Sequence, residues 1–483
     1  MSYFFQHFWP HLTTAVVAIV ELVAACHAVL YKRDTRATIG WVGLILLTPL
    51  LGALLYWMFG INRIHRKAKL RRGGETGAEP CASEHTAPPE LIEKTLGRKG
   101  EHFERLVALV GNATMRPLLQ GNKIEPLVGG DEAYPAMLHA IDSAQRSITL
   151  ASYIFDNDRV GKLFAHALGQ AKQRGVEIRV LIDDIGARYT FPSIVHLLRG
   201  ASIRAETFMR SLVPGYFAYF NLRSHRKILV VDGQLGFTGG MNIREGCWLS
   251  EHPKLPTQDV HFRMQGPVVT QLQEVFAEDW AFSTDEVLKG DLWYPSQEAA
   301  GETLARGVAF GPDESKGVIG LTLIGALGVA QRKVSIVTPY FLPDESIVAA
   351  LNVAAMRGVE VNIVLPQKGN LTTVQWATQA TLWQVLEHGC NVWLTLAPFD
   401  HTKLMVVDGL WTLVGSSNWD PRSLRLNFEF DVECYDSKLA ASIGSLIETK
   451  QKSARRIDLK TVDSRRLAVR LRDGMARLLS PYL

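Results

Sequence analysis

The sequence predicts an α/β fold in two pseudo-twofold-related halves, preceded by an N-terminal hairpin of two transmembrane helices. Three observations carry this prediction. Two long stretches near the start hold almost no charge. The remainder repeats itself, and each repeat contains the same spaced set of polar residues. Composition agrees: 483 residues with 47% hydrophobic side chains suffice for two core-sized units plus extra segments. A net charge of +4 gives no bulk argument for nucleic acid. The five cysteines, Cys26, Cys81, Cys247, Cys390 and Cys434, have neither the spacing of a zinc site nor that of a disulfide framework, which points to a reducing compartment.

The two apolar stretches run from about residue 10 to 31 and from about 37 to 59, each long enough to cross about 30 Å of hydrocarbon. Only KRDTR separates them, so the spans should form a hairpin with both ends on one side. Lys32, Arg33 and Arg36 sit in the turn, whereas Arg63, Arg66, Lys67, Lys69, Arg71 and Arg72 follow the second span. The heavier count should stay inside, which predicts a cytoplasmic C-terminal part. Trp41, Tyr56 and Trp57 suit interfacial anchoring. Val23-Ala24-Ala25-Cys26 has the look of a lipoprotein cleavage box but lacks the basic residues that should precede one. Glu21 inside the first span reads as facing the partner helix or lying near enough the boundary to be tolerated, with an intramembrane functional carboxylate as the other reading. Residues 1–61 thus form the membrane segment, and residues 62–121, containing RRGGETGAEPCASEHTAPPE, read as a basic segment and linker.

The repeat aligns AQRSITLASYIFDNDRVGKLFAHALGQAKQRGVEIRVLID, from Ala144, with AQRKVSIVTPYFLPDESIVAALNVAAMRGVEVNIVLP, from Ala330. Each copy passes from a β-branched run through an amphipathic helix into a second apolar run, the β-α-β pattern of a buried, largely parallel sheet. The halves are placed at residues 122–300 and 301–450. Residues 451–483 form a basic amphipathic tail in which Arg455, Arg456, Lys460, Arg465, Arg466, Arg470, Arg472 and Arg477 alternate with Leu and Val. That tail suits a helix on an anionic membrane surface, with an ordinary solvated helix as the alternative.

Within each half stands H-x-K-x4-D-x6-G-[GS]-x-N: His225, Lys227, Asp232, Gly239 and Asn242, then His401, Lys403, Asp408, Gly415 and Asn418. Asp-Gly is a two-residue hairpin turn signal. Taking Asp232 and Gly233 as that turn pairs Val231 with Gln234 and sets His225 opposite Gly240; the second copy sets His401 opposite Ser416. An imidazole, an ammonium and a carboxamide should therefore gather at one end of each hairpin, His and Lys sharing a face at i and i+2. The aspartates, at the turn end, read as turn and ion-pair residues rather than proton carriers.

These residues resemble the signature of the phospholipase D superfamily. KRDTRATIGWVGL and FGINR around the second span, TPYFLPD in the second half, and GSSNWDPRSLRLNFEFDVE near the end look like the bacterial cardiolipin synthases of that superfamily. The resemblance implies two phospholipase D-like α/β/α halves with mixed, largely parallel sheets, packed so that both hairpins share one site, with His225, Lys227, Asp232, His401, Lys403 and Asp408 as the catalytic motif residues. It implies a mechanism without metal or cofactor: His225 attacks phosphorus and His401 serves as acid and base, the reverse assignment remaining open. Lys227, Lys403, Asn242 and Asn418 would bind phosphoryl oxygens, with Ser416 as a helper. Asp259 and Glu429 are similar to the family's acids behind the histidines, or else are strand-end carboxylates in surface ion pairs. The implied substrate is phosphatidylglycerol among other membrane lipids, not nucleic acid, and the implied place is the bacterial inner membrane. VPGYFAYFNLR, with Tyr216, Phe217, Tyr219 and Phe220, reads either as an acyl-chain approach or as core. A phospholipase D hydrolase, a transferase using another alcohol and a membrane-tethered nuclease are the competing activities.

Overall fold

The computed structural model describes residues 2–32, 35–60, 85–88, 90–209, 222–312 and 317–480. Arg33, the basic run at 63–72, Cys81 and the aromatic stretch at 216–220 lie outside the described residues.

The N-terminal unit holds the helix Ser2–Tyr31, of which Trp9–Tyr31 is long and apolar enough to cross a membrane, with mean hydropathy 2.0. The expected second span differs. It is helical over Thr35–Leu47, breaks, and resumes over Leu51–Leu55 and in a π-turn at Tyr56–Gly60. Pro49 lacks the N–H that would continue the ladder, and Leu50 takes φ 60. The chain folds back so tightly that a Cβ on Gly52 would lie 2.3 Å from the Leu44 carbonyl oxygen. Among the described residues there is therefore one helix of full spanning length. The two segments do pack as a pair through Ala25, Ala28, Ile45 and Tyr56, and His27 Nδ1 lies 2.8 Å from the Tyr56 hydroxyl.

The larger unit repeats one strand order twice. The first half contributes β1 (Leu119–Val128), β2 (Ser147–Ser152), β3 (Glu177–Asp183), β4 (Arg204–Phe208), β5 (Arg223–Ser224), β6 (Ile228–Val231), β7 (Leu235–Gly239), β8 (Thr257–Gln258) and β9 (Val260–Gln265). The second contributes β10 (Thr303–Phe310), β11 (Lys333–Val337), β12 (Glu360–Pro366), β13 (Asn391–Thr395), β14 (Phe399–Asp400), β15 (Leu404–Val407), β16 (Trp411–Gly415), β17 (Asn427–Tyr435) and β18 (Arg455–Ile457). Apart from β5, which pairs beside β17, and β8 and β14, which form a separate two-stranded sheet, they join into one continuous sheet ordered β18-β13-β12-β11-β15-β16-β17-β10-β1-β9-β7-β6-β2-β3-β4, so the halves meet edge to edge at the antiparallel pair β1–β10.

The sheet is mixed, as expected, but it is not largely parallel. Along this path parallel pairing is confined to β2–β3–β4 and β11–β12–β13. The repeated β-α-β units supply those strands; the motif hairpins and the strands after them add antiparallel neighbours that the crossover pattern does not announce.

Burial explains the layering. The helices Val268–Thr284 and Ser437–Lys452 cover one face over a core that both halves share, including Phe262, Trp280, Phe430 and Ile443. On the other face each half has its own core, with the helices Gly129–Ser143 and Arg159–Gln173 over the first and Val318–Val329 and Glu345–Met356 over the second. Part of the expected linker also belongs here. Glu90–Leu96 and Glu104–Thr114 are helical, and Ile92, Phe103, Leu106 and Val110 are buried in the core of the second half. Their apolar residues recur at helical spacing, a period masked by the Gly- and Pro-rich residues before them.

Candidate active site

Each motif hairpin is held by its aspartate. Asp232 takes φ 52 and Gly233 φ 68, and Gln234 N–H donates to the Val231 carbonyl at 3.1 Å, yet the ladder pairs Val231 with Leu235. The second copy pairs Val407 with Trp411 in the same way. The loop is one residue longer than expected, so the register is shifted by one, and both ladders end before they reach the histidines, at Ile228–Thr238 and Leu404–Val414. The Asp232 carboxylate accepts from the N–H groups of Gln145, Arg146 and Ser147, and Asp408 from those of Gln331, Arg332 and Lys333. Each aspartate thus ties its turn to the start of the neighbouring strand, and His102 Nε2 lies a further 3.3 Å from Asp408.

With its acceptor gone, that cluster of amides loses several charge-assisted bonds at once. Asp232→Ala is expected to lower stability by about 2–4 kcal/mol. The kcat of the protein that remains folded should stay within about threefold of the parent, an outcome checked by thermal unfolding beside turnover; a selective loss of kcat would move Asp232 into the chemistry.

The histidines are positioned across the junction between the halves. His225 N–H donates to the Phe428 carbonyl at 2.8 Å, where β5 runs parallel to the start of β17. His401 N–H donates to the Gln258 carbonyl at 2.7 Å, where β14 runs parallel to β8. The residue after each of those carbonyls is the acid. Glu429 Oε2 lies 2.9 Å from His225 Nδ1, and Asp259 Oδ2 lies 2.8 Å from His401 Nδ1. Each half therefore supplies the carboxylate for the other half's imidazole, a crossing invisible in the sequence. The ring centroids stand 6.3 Å apart, and among the described residues neither Nε2 has a hydrogen-bond partner.

The two acids are supported differently. Ser416 Oγ donates to Glu429 Oε2 at 2.6 Å, and Ser423 Oγ and Asn427 Nδ2 donate to Oε1 at 2.8 and 3.1 Å. Asp259 has, besides His401, its own neighbour Val260 N–H at 2.8 Å. Gly240 stands where the second copy has Ser416, and a Cβ there would meet Asp259 Oδ1 at 2.4 Å. Ser416, expected beside the phosphoryl oxygens, instead spends its hydroxyl on the acid.

The cations are buried beside the rings. Lys227 Nζ donates to the His225 carbonyl at 2.6 Å, while Lys403 Nζ lies 2.9 Å from His401 Nδ1 and donates to the His401 carbonyl. Burial pushes Lys227 down to about 7 and Lys403 down to about 8, against the pull of Glu429 and Asp259. Burial, reinforced by Lys403, pushes His401 down to about 4, and burial also lowers His225. At the acids the charges win over burial: burial alone raises a carboxylate, but Lys403 and His401 hold Asp259, and His225 and Lys227 hold Glu429, below the usual range. These shifts favour neutral imidazoles beside ionised carboxylates. Asn242 Oδ1 accepts from Ile154 N–H at 3.1 Å, which leaves its NH2 facing no protein acceptor among the described residues. Asn418 Nδ2 donates to Ser423 Oγ at 3.2 Å, and its buried Oδ1 has no partner among the described residues.

Sequence reasoning missed several neighbours. Tyr153 packs 5.1 Å from the His225 ring and Tyr340 6.2 Å from the His401 ring. Both belong to the repeat, in ASYIFDND and TPYFLPD, one residue out of step. Arg226, between the motif His and Lys, reaches Asp279 at 2.7 Å and the carbonyls of Glu429 and Phe310, joining the halves beneath the site. Among the described residues no cluster of His, Cys, Asp and Glu could hold a metal ion.

A family described as cardiolipin synthase, PLD-like domain matches residues 137–280 and 323–449, and one described as phospholipase D-nuclease N-terminal matches 15–60. The chain is similar to cardiolipin synthase A of Pseudomonas putida, 31% identical over all of both chains. It is similar as well to cardiolipin synthase A of Pseudomonas aeruginosa, 34% identical over 97% of this chain and 95% of the relative. Among solved structures, phosphatidylserine synthase of Haemophilus influenzae shares the fold, with TM-score 0.60 and 14% identity over 78% of this chain and 100% of that one.

Proposed function

The chain belongs to the cardiolipin synthase family of phospholipase D-like proteins and is a phosphatidyltransferase of membrane phospholipids; from that premise we propose that it joins two phosphatidylglycerol molecules into cardiolipin and glycerol at the paired histidines. The observation that carries this reading is the crossed pair, two imidazoles 6.3 Å apart with each Nδ1 on a carboxylate from the opposite half. Rings so spaced can approach one phosphorus from both sides, within the range of about 3–3.5 Å that reacting atoms need.

In the proposed course, His225 Nε2 attacks the phosphorus of the donor lipid. His401 enters this step carrying a proton taken up with the anionic phosphate; the P–O bond to glycerol breaks as its Nε2 gives that proton to the departing oxygen, leaving phosphatidyl on His225. The primary hydroxyl of a second phosphatidylglycerol then attacks. His401 takes its proton, the P–N bond breaks, and both imidazoles return to their starting state. Lys227, Lys403 and the Asn242 amide face the non-bridging oxygens, where buried donors act most strongly on developing charge. Glu429 is held by three neutral donors besides His225, which suits a ring kept in one tautomer as nucleophile. Asp259 has fewer partners and can answer a proton arriving on His401. For topology, we read the basic run after the second apolar segment as cytoplasmic.

Incubated with phosphatidylglycerol alone, the purified chain should yield cardiolipin and glycerol in equal amounts; phosphatidic acid as the sole lipid product would overturn the acceptor assignment. The same assay carries a pH prediction. With burial holding Lys227 near 7 and Lys403 near 8, the anionic substrate must draw protons onto them as it binds. Above those values each added pH unit removes up to about tenfold of binding per lysine. A kcat/KM that falls between pH 7 and 9, with kcat much flatter, is the expected profile. A flat kcat/KM to pH 10 would show that the lysines are not the groups being charged.

A further inference from the structure

The helix Leu467–Leu478 is amphipathic in an unusual sense: its apolar stripe points away from the protein. Leu467, Leu471, Met475 and Leu478, at steps of four, four and three, share one helix face and are 59–75% exposed. The inward side is largely polar. Asp473 is buried and pairs with Arg465 at 2.6 Å and Arg472 at 2.8 Å, while Ala476 packs with Val374 and Ala377 of the helix Thr372–Thr381. Arg465 also donates to the Gln379 carbonyl, and the Arg472 guanidinium lies 4.4 Å from the Trp376 ring. The fold thus spends ion pairs to hold this helix in place while leaving its leucines uncovered. A soluble surface gains nothing from that arrangement, since burying such a stripe is what normally fixes a surface helix.

Charge identifies the occupant. Arg466, Arg470 and Arg477 lie along one flank of the stripe, all exposed, and such a pairing of apolar face and basic edge matches the boundary between acyl chains and anionic headgroups. The helix is also continuous with the site: Ala476, Val374 and Ala377 share a small core with Leu342 and Tyr340, and Tyr340 stands beside the His401 ring.

We propose that Leu467–Leu478 is a bilayer-docking helix that lies in the interface of an anionic membrane and seats the pocket against the surface from which lipid is drawn. The inference rests on the reading that the substrate is a membrane phospholipid, but its test does not need turnover. The full chain, with Cys26→Ser and Cys81→Ser, is placed in nanodiscs of phosphatidylcholine with or without phosphatidylglycerol. A fluorophore is attached at Leu471→Cys, at Met475→Cys or, as an aqueous control, at Lys438→Cys, whose native side chain is 85% exposed.

Quenching by lipids labelled on the upper acyl chain should reach positions 471 and 475 and spare 438. It should fall at least about twofold without phosphatidylglycerol or in Arg466→Gln/Arg470→Gln/Arg477→Gln. In parallel, Leu471→Glu/Met475→Glu should lose about tenfold of turnover on bilayer lipid while retaining turnover on monomeric short-chain phosphatidylglycerol. Labels at 471 and 475 quenched no more than at 438 overturn the proposal, including the case in which a protein partner or second copy covers the stripe. Quenching as expected with no turnover on either substrate would instead count against the catalytic reading and leave the docking helix standing.

Discussion

Alanine at His225 or at His401 should each reduce cardiolipin formation by about 10^4-fold or more, because the two rings perform successive halves of one exchange and neither step has a substitute in the pocket. The two losses should nevertheless differ in kind. A phosphatidyl ester of p-nitrophenol has a leaving group that departs without a proton, so His401→Ala should still release nitrophenolate in a burst close to one equivalent of enzyme. It should then stall with phosphatidyl bound to His225, since no base activates the acceptor. His225→Ala should give neither burst nor adduct. Acid-labile, base-stable label retained on the protein, located by peptide mass, reads the outcome directly. The opposite pattern would exchange the roles of the two histidines and leave the pair itself intact, whereas retained turnover in either variant would remove that residue from the reaction.

Such a test is needed because pseudo-symmetry makes the two motifs nearly equivalent in sequence, and the structure locates the asymmetry where no motif points. Spacing was enough to bring His and Lys together, because Asp-Gly turns are strongly local and both copies obey them. The one-residue error in register came from the same locality: the turn residues match a two-residue loop, while the paired strands settle one position further on. Which acid serves which imidazole could not be read, since β5 reaches β17 and β14 reaches β8 only after the halves join edge to edge. Asp259 and Glu429 were visible as candidates because each begins an apolar run after its own motif. The helices 90–114 were hidden behind a Gly- and Pro-rich segment, and Pro49 lay inside a stretch whose hydropathy alone suggested an unbroken span. In both places one backbone-directing residue type outweighed the average character of its neighbours.

The acids should show the asymmetry most sharply. In Glu429→Gln the side chain keeps its size, and its oxygen can still accept from Ser423 and Asn427. The amide NH2 then falls toward Ser416 and His225 Nδ1; Nδ1 can meet it only by accepting, and with the Ser416 carbonyl, 3.1 Å away, as the one acceptor left there, the imidazole proton shifts toward Nε2. A protonated Nε2 cannot attack phosphorus, so kcat should fall about 10^2–10^4-fold, and by a similar factor whatever the leaving group. Asp259→Asn acts on the other step. It withdraws the one negative charge that opposes burial and Lys403 at His401, a ring already pushed down to about 4. His401 should then rarely carry the proton that glycerol requires, and turnover on phosphatidylglycerol should also fall about 10^2–10^4-fold. With the nitrophenyl ester, however, most of the Asp259→Asn loss in the first step should disappear, since no acid is called for, while the Glu429→Gln loss persists. Pre-steady-state bursts on the two esters distinguish these cases. Equal leaving-group sensitivity in both variants would mean that the carboxylates serve only to hold the halves together, since a purely structural role has no means of sensing what departs from phosphorus.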